Sequence, residues 1–276
     1  GAGGTNTSGG GSVFLGYSAN GGGSGGSKVI AIGMSSAFGN AADEVIAIGD
    51  ETMYTNSSGT KNIGIGKRAI MYNATGDGNT AVGWQSLIGA SGNNHSNNSA
   101  FGYHAGSAIE TGGDNVFVGK ESGDTTTTGS QNVVVGSTAD VSAAAATNQV
   151  VIGYGATGVA NNSVTLGNTS NESVFISSTV STKPLVELKN TTNDANSGIL
   201  KLVKDKGAAG ADGDDIGILE FVGDDTAQNQ TSFAKIVAEV SEADDTDEAG
   251  KLSLFVAESD GTTTALTAGL VLEGEH

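Results

Sequence analysis

Short apolar runs that end in glycine recur along the first two-thirds of the chain, and polar, glycine-rich stretches separate them. The copies are Val13-Phe14-Leu15-Gly16, Ile30-Ala31-Ile32-Gly33, Ile46-Ala47-Ile48-Gly49, Ile63-Gly64-Ile65-Gly66 and Thr80-Ala81-Val82-Gly83. They continue as Ser99-Ala100-Phe101-Gly102, Val116-Phe117-Val118-Gly119, Val133-Val134-Val135-Gly136, Val151-Ile152-Gly153 and Val164-Thr165-Leu166-Gly167. Successive glycines lie 17, 16, 17, 17, 19, 17, 17, 17 and 14 residues apart. A period this constant is the signature of stacked repeats. Asn or Gln often precedes the run (Asn62, Asn79, Asn98, Asn115, Asn132, Gln149), and a polar or aromatic residue and then often Ala follow it, as in Tyr103-His104-Ala105. The remainder is Gly, Asn, Ser and Thr, which form turns. One unit therefore reads as a strand of about four residues, a tight corner at Gly, a second weaker strand and a return loop, which is one narrow coil of a parallel β-solenoid or β-roll.

A half-buried strand alternates apolar and polar residues. Here the in-between positions Phe14, Ala31, Ala47, Ala81, Phe117, Val134 and Val151 are apolar or small too. Both faces of the strands must then be covered. One face can pack inside its own coil, whereas the other needs a neighbour, with Phe14, Phe117, Val134 and Val151 as the expected packing positions. Symmetric self-association in a closed three-fold ring is the expected solution for a rod that must not aggregate.

The period stops after Gly167. Residues 168–183 read as a polar linker or neck with a short apolar run at Val174-Phe175-Ile176. Pro184 then opens a series of longer strands, expected at Leu185–Leu188, Ile199–Val203, Ile216–Val222, Phe233–Val240, Leu252–Val256 and Leu266–Leu272. Their spacing and loop chemistry predict an antiparallel β-sandwich or meander. The expected organisation is all-β: about ten coils over 1–167, a neck over 168–183 and a smaller, mainly antiparallel domain over 184–276.

Charge narrows the partners. The net charge of the 276 residues is −18, of which −6 falls on residues 1–182 and −12 on 183–276, and Arg68 is the single arginine. Such a chain repels a phosphate backbone, so neither nucleic acid nor an anionic membrane surface is an expected partner. No apolar run approaches the length of a bilayer span, and Gly1-Ala2-Gly3-Gly4 has no signal-peptide character. With no cysteine, thiol nucleophiles and thiolate zinc sites are excluded.

Candidate chemistry is sparse, and neither an enzyme nor a cofactor is expected. The three histidines are His95 in a Gly/Asn/Ser loop, His104 beside a repeat tyrosine, and His276 at the end. Glycoside cleavage needs paired carboxylates. Asp50, Glu51, Glu110, Asp114, Glu121 and Asp124 cluster in loops but recur at no aligned rung, and Trp84 is the only tryptophan for a sugar platform. The run Gly21–Gly26 lacks the Lys-Ser/Thr of a phosphate loop. Asp212–Asp215 and Asp244–Glu248 are rich in oxygen ligands but match no calcium-loop spacing, and read as solvated loops without a metal. An ice-binding face needs a rank of threonines at one rung, and Thr125–Thr128 occurs once.

The pattern Asn98-Ser99-Ala100-Phe101-Gly102-Tyr103-His104-Ala105 resembles the head repeat of trimeric autotransporter adhesins, a repeat also found in many phage tail fibres. The likeness covers about residues 10–170, with a period longer than the usual adhesin coil. It implies a left-handed parallel β-roll, trimerised side by side around a fibre axis. The runs Gly217–Phe221, Phe233–Ile236 and Gly250–Phe255 are similar to a β-module of marine-phage tail fibres, which precedes a cleaved C-terminal chaperone. The resemblance implies a structural and receptor-binding segment of a homotrimeric viral tail fibre, joined to other virion tail proteins and touching a host-cell receptor of glycan or protein. The head of a bacterial trimeric surface adhesin and a polysaccharide-degrading tailspike are the alternatives.

Overall fold

Three-residue runs of β-branched and small residues, each closed by glycine, are too short to fold alone and become strands only by stacking. In the computed structural model, which describes residues 10–22, 26–170, 199–204, 209–243, 248–259 and 264–274, ten such strands form one sheet. They are β1 (Val13–Leu15), β2 (Ile30–Ile32), β3 (Ile46–Ile48), β4 (Ile63–Ile65), β5 (Thr80–Val82), β6 (Ser99–Phe101), β7 (Val116–Val118), β8 (Val133–Val135), β9 (Gln149–Ile152) and β10 (Ser163–Leu166). Each pairs in parallel with the next, in register, so that Ile30 lies beside Ile46 and Val116 beside Val133. The chain advances one strand per coil through about nine turns of a parallel solenoid.

The corner glycines are required by geometry. Gly16 through Gly153 hold φ between +129° and +148°, and Gly167 has φ +84°, values that only glycine adopts without strain. A Cβ on Gly16 would sit 2.5 Å from the carbonyl oxygen of Gly33, and one on Gly49 would sit 2.6 Å from that of Gly66. The corners stack backbone on backbone.

The expected second strand does not form. After each corner from Gly16 to Gly119 the chain makes a run of turns in which alternate residues take left-handed φ, as at Arg68 (60°) and Ile70 (51°) or Gln85 (54°) and Leu87 (49°). A left-handed residue with a side chain costs about 1–2 kcal/mol. Bonds between coils hold these residues in place: the Ile70 N–H donates to Ser86 O at 3.0 Å and the Leu87 N–H to Ala105 O at 2.9 Å.

The interior is narrow and partly polar. The central strand residues Ala31, Ala47, Ala81, Ala100, Phe117, Val134 and Val151 point inward and are fully buried. Phe117 fits because glycine stands on both sides of it: a Cβ on Gly106 would lie 2.6 Å from the ring, and one on Gly123 would overlap it. Beside this apolar file runs a ladder of buried asparagines. Asn62, Asn79, Asn98, Asn115 and Asn132 stand one coil apart just before their strands, and Gln149 takes the sixth place. Each Oδ1 accepts from the next coil. Asn98 Oδ1 receives the Asn115 N–H (3.1 Å) and Nδ2 (2.9 Å), and Asn115 Oδ1 receives both from Asn132 at 3.0 Å. The second Nδ2 proton goes to a loop carbonyl, from Asn98 to Gly112 (3.0 Å) and from Asn115 to Gly129 (2.9 Å).

Contacts divide the chain into Gly1–Phe175 and Ile176–His276, a boundary inside the expected neck. The second unit holds β11 (Asp215–Asp224), β12 (Gln230–Glu242), β13 (Ala249–Ser259) and β14 (Thr264–Glu273), an antiparallel meander in chain order. It is one sheet and not a sandwich among the described residues. The expected strand at Ile199–Val203 is irregular, while Leu185–Leu188, Val174–Ile176, Asp244–Asp247 and His276 lie outside the described residues. No helix occurs among the described residues.

Two substitutions test this construction. Asn115→Ala removes the acceptor for two buried donors of Asn132 and the donor to the Gly129 carbonyl, so a denaturant titration should show a loss of about 3 kcal/mol. A loss below about 0.5 kcal/mol, within the noise of surface changes, contradicts a structural ladder. Gly102→Ala sets a Cβ against the Gly119 carbonyl at φ +144°, and circular dichroism should report a lower melting temperature than for Ala substitution at the open Gly92.

Candidate functional site: an exposed apolar ladder

If the middle residue of each strand points inward, the two flanking residues point outward. Those flanking residues are the bulky ones. One file runs Val13, Ile30, Ile46, Ile63, Thr80, Ser99, Val116, Val133, Val150 and Val164, and the other Leu15, Ile32, Ile48, Ile65, Val82, Phe101, Val118, Val135, Ile152 and Leu166. Only Thr80 and Ser99 interrupt them, and no charge occurs in either file. Leu15 is 64% exposed, Phe101 44% and Leu166 54%. Ten strands about 4.8 Å apart make this stripe roughly 43 Å long. A continuous exposed apolar surface of that extent marks an interaction site.

The expected packing residues sit on the other side of the same strands. Phe117, Val134 and Val151 are fully buried in their own coil and Phe14 packs half-buried against that core. They fill the lumen and are not available to a neighbour. The size pattern carried this information: Ala31, Ala47, Gly64, Ala81 and Ala100 are small because the coil is narrow, whereas the flanking isoleucines and valines are large because nothing in the coil confines them.

Next to the second file, the residues after the corners form charged and aromatic ladders. Lys67 pairs with Asp50 of the preceding coil at 2.9 Å, and Arg68 Nε with Glu51 at 2.6 Å. Exposed pairs of this kind contribute little each, but they fix the outer edge in register. Farther along, Trp84 stacks on Tyr103 (ring centroids 5.0 Å, 10°), and His104 stacks on both rings at 4.8 and 4.4 Å. Trp84 stays 38% exposed and Tyr103 45% in this stack.

Of the loop carboxylates, Asp124 stands beside another acidic side chain, Asp140 of the next coil. Asp50 and Glu51 are held by their cations, while Glu110 and Asp114 are exposed. Burial, followed by repulsion from Asp140 and Glu121, raises the Asp124 pKa. In the second unit, Asp212 Oδ1 accepts the Ala243 N–H (3.0 Å) and Asp214 Oδ2 the Ala211 N–H (2.9 Å), so both carboxylates cap loop backbone. No cluster of His, Asp and Glu suited to a metal occurs among the described residues.

His95 is a buried group whose role the sequence concealed. It occupies the rung where other coils carry Gly59, Gly76, Gly112, Gly129 and Ala146, in the one coil of 19 residues. Its carbonyl accepts from Asn79 Nδ2 (2.9 Å) and its Nδ1 lies 3.3 Å from Asn79 Oδ1, while Nε2 has no partner. Burial pushes its pKa down to about 4.

No protein family, no curated protein and no solved structure matches this chain.

The folded state favours neutral His95, so its stabilising effect is complete above the unfolded pKa of 6.5 and is lost as pH falls towards 4. The span corresponds to at most about 3 kcal/mol. Stability measured by denaturant between pH 7 and 4 should fall less steeply in His95→Gln than in the native protein; parallel slopes contradict a buried neutral imidazole.

Proposed function

We propose that this chain is a structural and receptor-binding segment of a homotrimeric attachment fibre, with a viral tail fibre as the preferred identity. The observation that carries the reading is the uncharged apolar stripe along the solenoid. A protein with net charge −18 that leaves about 43 Å of aliphatic sheet in water would aggregate unless the stripe meets a matching surface. A second and third copy of the stripe supply that surface in a closed arrangement, which stops growth at a defined size. Three copies on one axis multiply weak contacts to a cell surface into avidity, and the polar turns facing away from the axis are the surface offered to a receptor.

Light scattering on the purified protein should give three times the 27.2 kDa chain mass. Val118→Asp with Ile65→Asp places two carboxylates in the stripe, and the trimer should dissociate or precipitate. A native protein that is monomeric at micromolar concentration ends this reading. Labelled trimer should be retained on susceptible bacterial cells, and a dissociated variant should wash off.

A further inference from the structure

Among the described residues the four-stranded meander is a single layer, and a single layer has nowhere of its own to bury an apolar face. Register shows which residues share a face. Leu219 lies opposite Ile236, Ile236 opposite Leu254, and Leu254 opposite Leu270. Two residues along each strand, Phe221, Leu252 and Leu272 join the same face. No ionisable residue interrupts this central patch. Leu254 is 36% exposed, Phe221 56% and Leu272 57%. Leu202 packs over the face at Gly217 and stays 44% exposed itself.

The opposite face carries the charges. Glu220 lies opposite Lys235, Lys251 pairs with Glu239 at 2.9 Å, and Lys235 Nζ sits 4.7 Å over the Phe255 ring. Val237 and Ser253 are buried on this side, while Ile218 (44%) and Val271 (46%) beside them stay exposed. The two sides differ in charge: ionisable residues stand on this one and the central patch of the other has none.

We infer that the uncharged face of the β11–β14 sheet packs against the same face of other copies of this chain, forming an intersubunit core separate from the solenoid stripe. This rests on the trimeric fibre proposed above. Four strands about 4.8 Å apart and about six residues long at about 3.4 Å each give a footprint of roughly 400 Å². That is about half of what one partner contributes to a standard free-standing interface, about 800 Å². Such a face is too small to capture a free protein but sufficient for copies already tethered at high effective concentration. Charge agrees: residues 183–276 carry −12, and this face lets like-charged copies approach without setting carboxylate against carboxylate.

The chain has no cysteine, so a single introduced thiol reports its own neighbour. Full-length Leu254→Cys and Val256→Cys variants, both on the uncharged face, are compared with Glu220→Cys on the charged face under mild oxidation, with the mass of each followed by light scattering. The expected result is a trimeric mass for all three, with covalent dimers at least tenfold faster for one or both uncharged-face cysteines than for Glu220→Cys. A trimeric mass with equal rates at all three positions overturns this inference and leaves the fibre standing. A monomeric mass for the native chain and the Glu220→Cys variant alike overturns both.

Discussion

A coil of about seventeen residues encloses only a narrow hydrophobic core, and buried asparagines bonded from coil to coil run beside it and tie the coils together. Asn79, Asn98, Asn115 and Asn132 each spend both amide protons and the oxygen on neighbours in fixed positions, which satisfies groups that would otherwise be costly to bury. The same bonds set the register of the sheet, because Asn98 can reach only Asn79 on one side and Asn115 on the other. The stacked corner glycines impose the matching constraint on the far side of each strand.

From that narrowness follows the placement of hydrophobic residues. The lumen takes Ala, Gly and Val, so the isoleucines and leucines of the strands have to face outward. In most domains large apolar side chains define the inside; here they line the outer face of the strands. The second unit repeats the arrangement with different architecture, since a lone antiparallel sheet also has one charged side and one apolar side. In both units, the described strands leave large apolar side chains exposed on one face.

Departures from the regular coil are matched by compensating changes nearby. Phe117 enters a file of alanines and valines because glycine replaces the bulky Met53, Ile70 and Leu87 of earlier coils at 106 and 123. The coil between Gly83 and Gly102 has two extra residues, and it is the one that admits an imidazole where the others have Gly or Ala.

The period and its corner glycines were legible in the amino-acid sequence, because a backbone that needs positive φ at every turn leaves glycine at fixed intervals. So were the all-β class, the end of the repeat near Gly167 and the meander strands from 215 onward. The direction in which each strand faces was not. Three apolar residues in a row read the same with either parity, and the assignment of Phe117, Val134 and Val151 to an outer face was reversed once the width of the lumen was known. The asparagines before the strands were visible as a pattern, but their bonding to one another depends on parallel, in-register stacking. The single layer of the second unit and the burial of His95 likewise came from tertiary structure alone, since both depend on which segments lie beside one another in space.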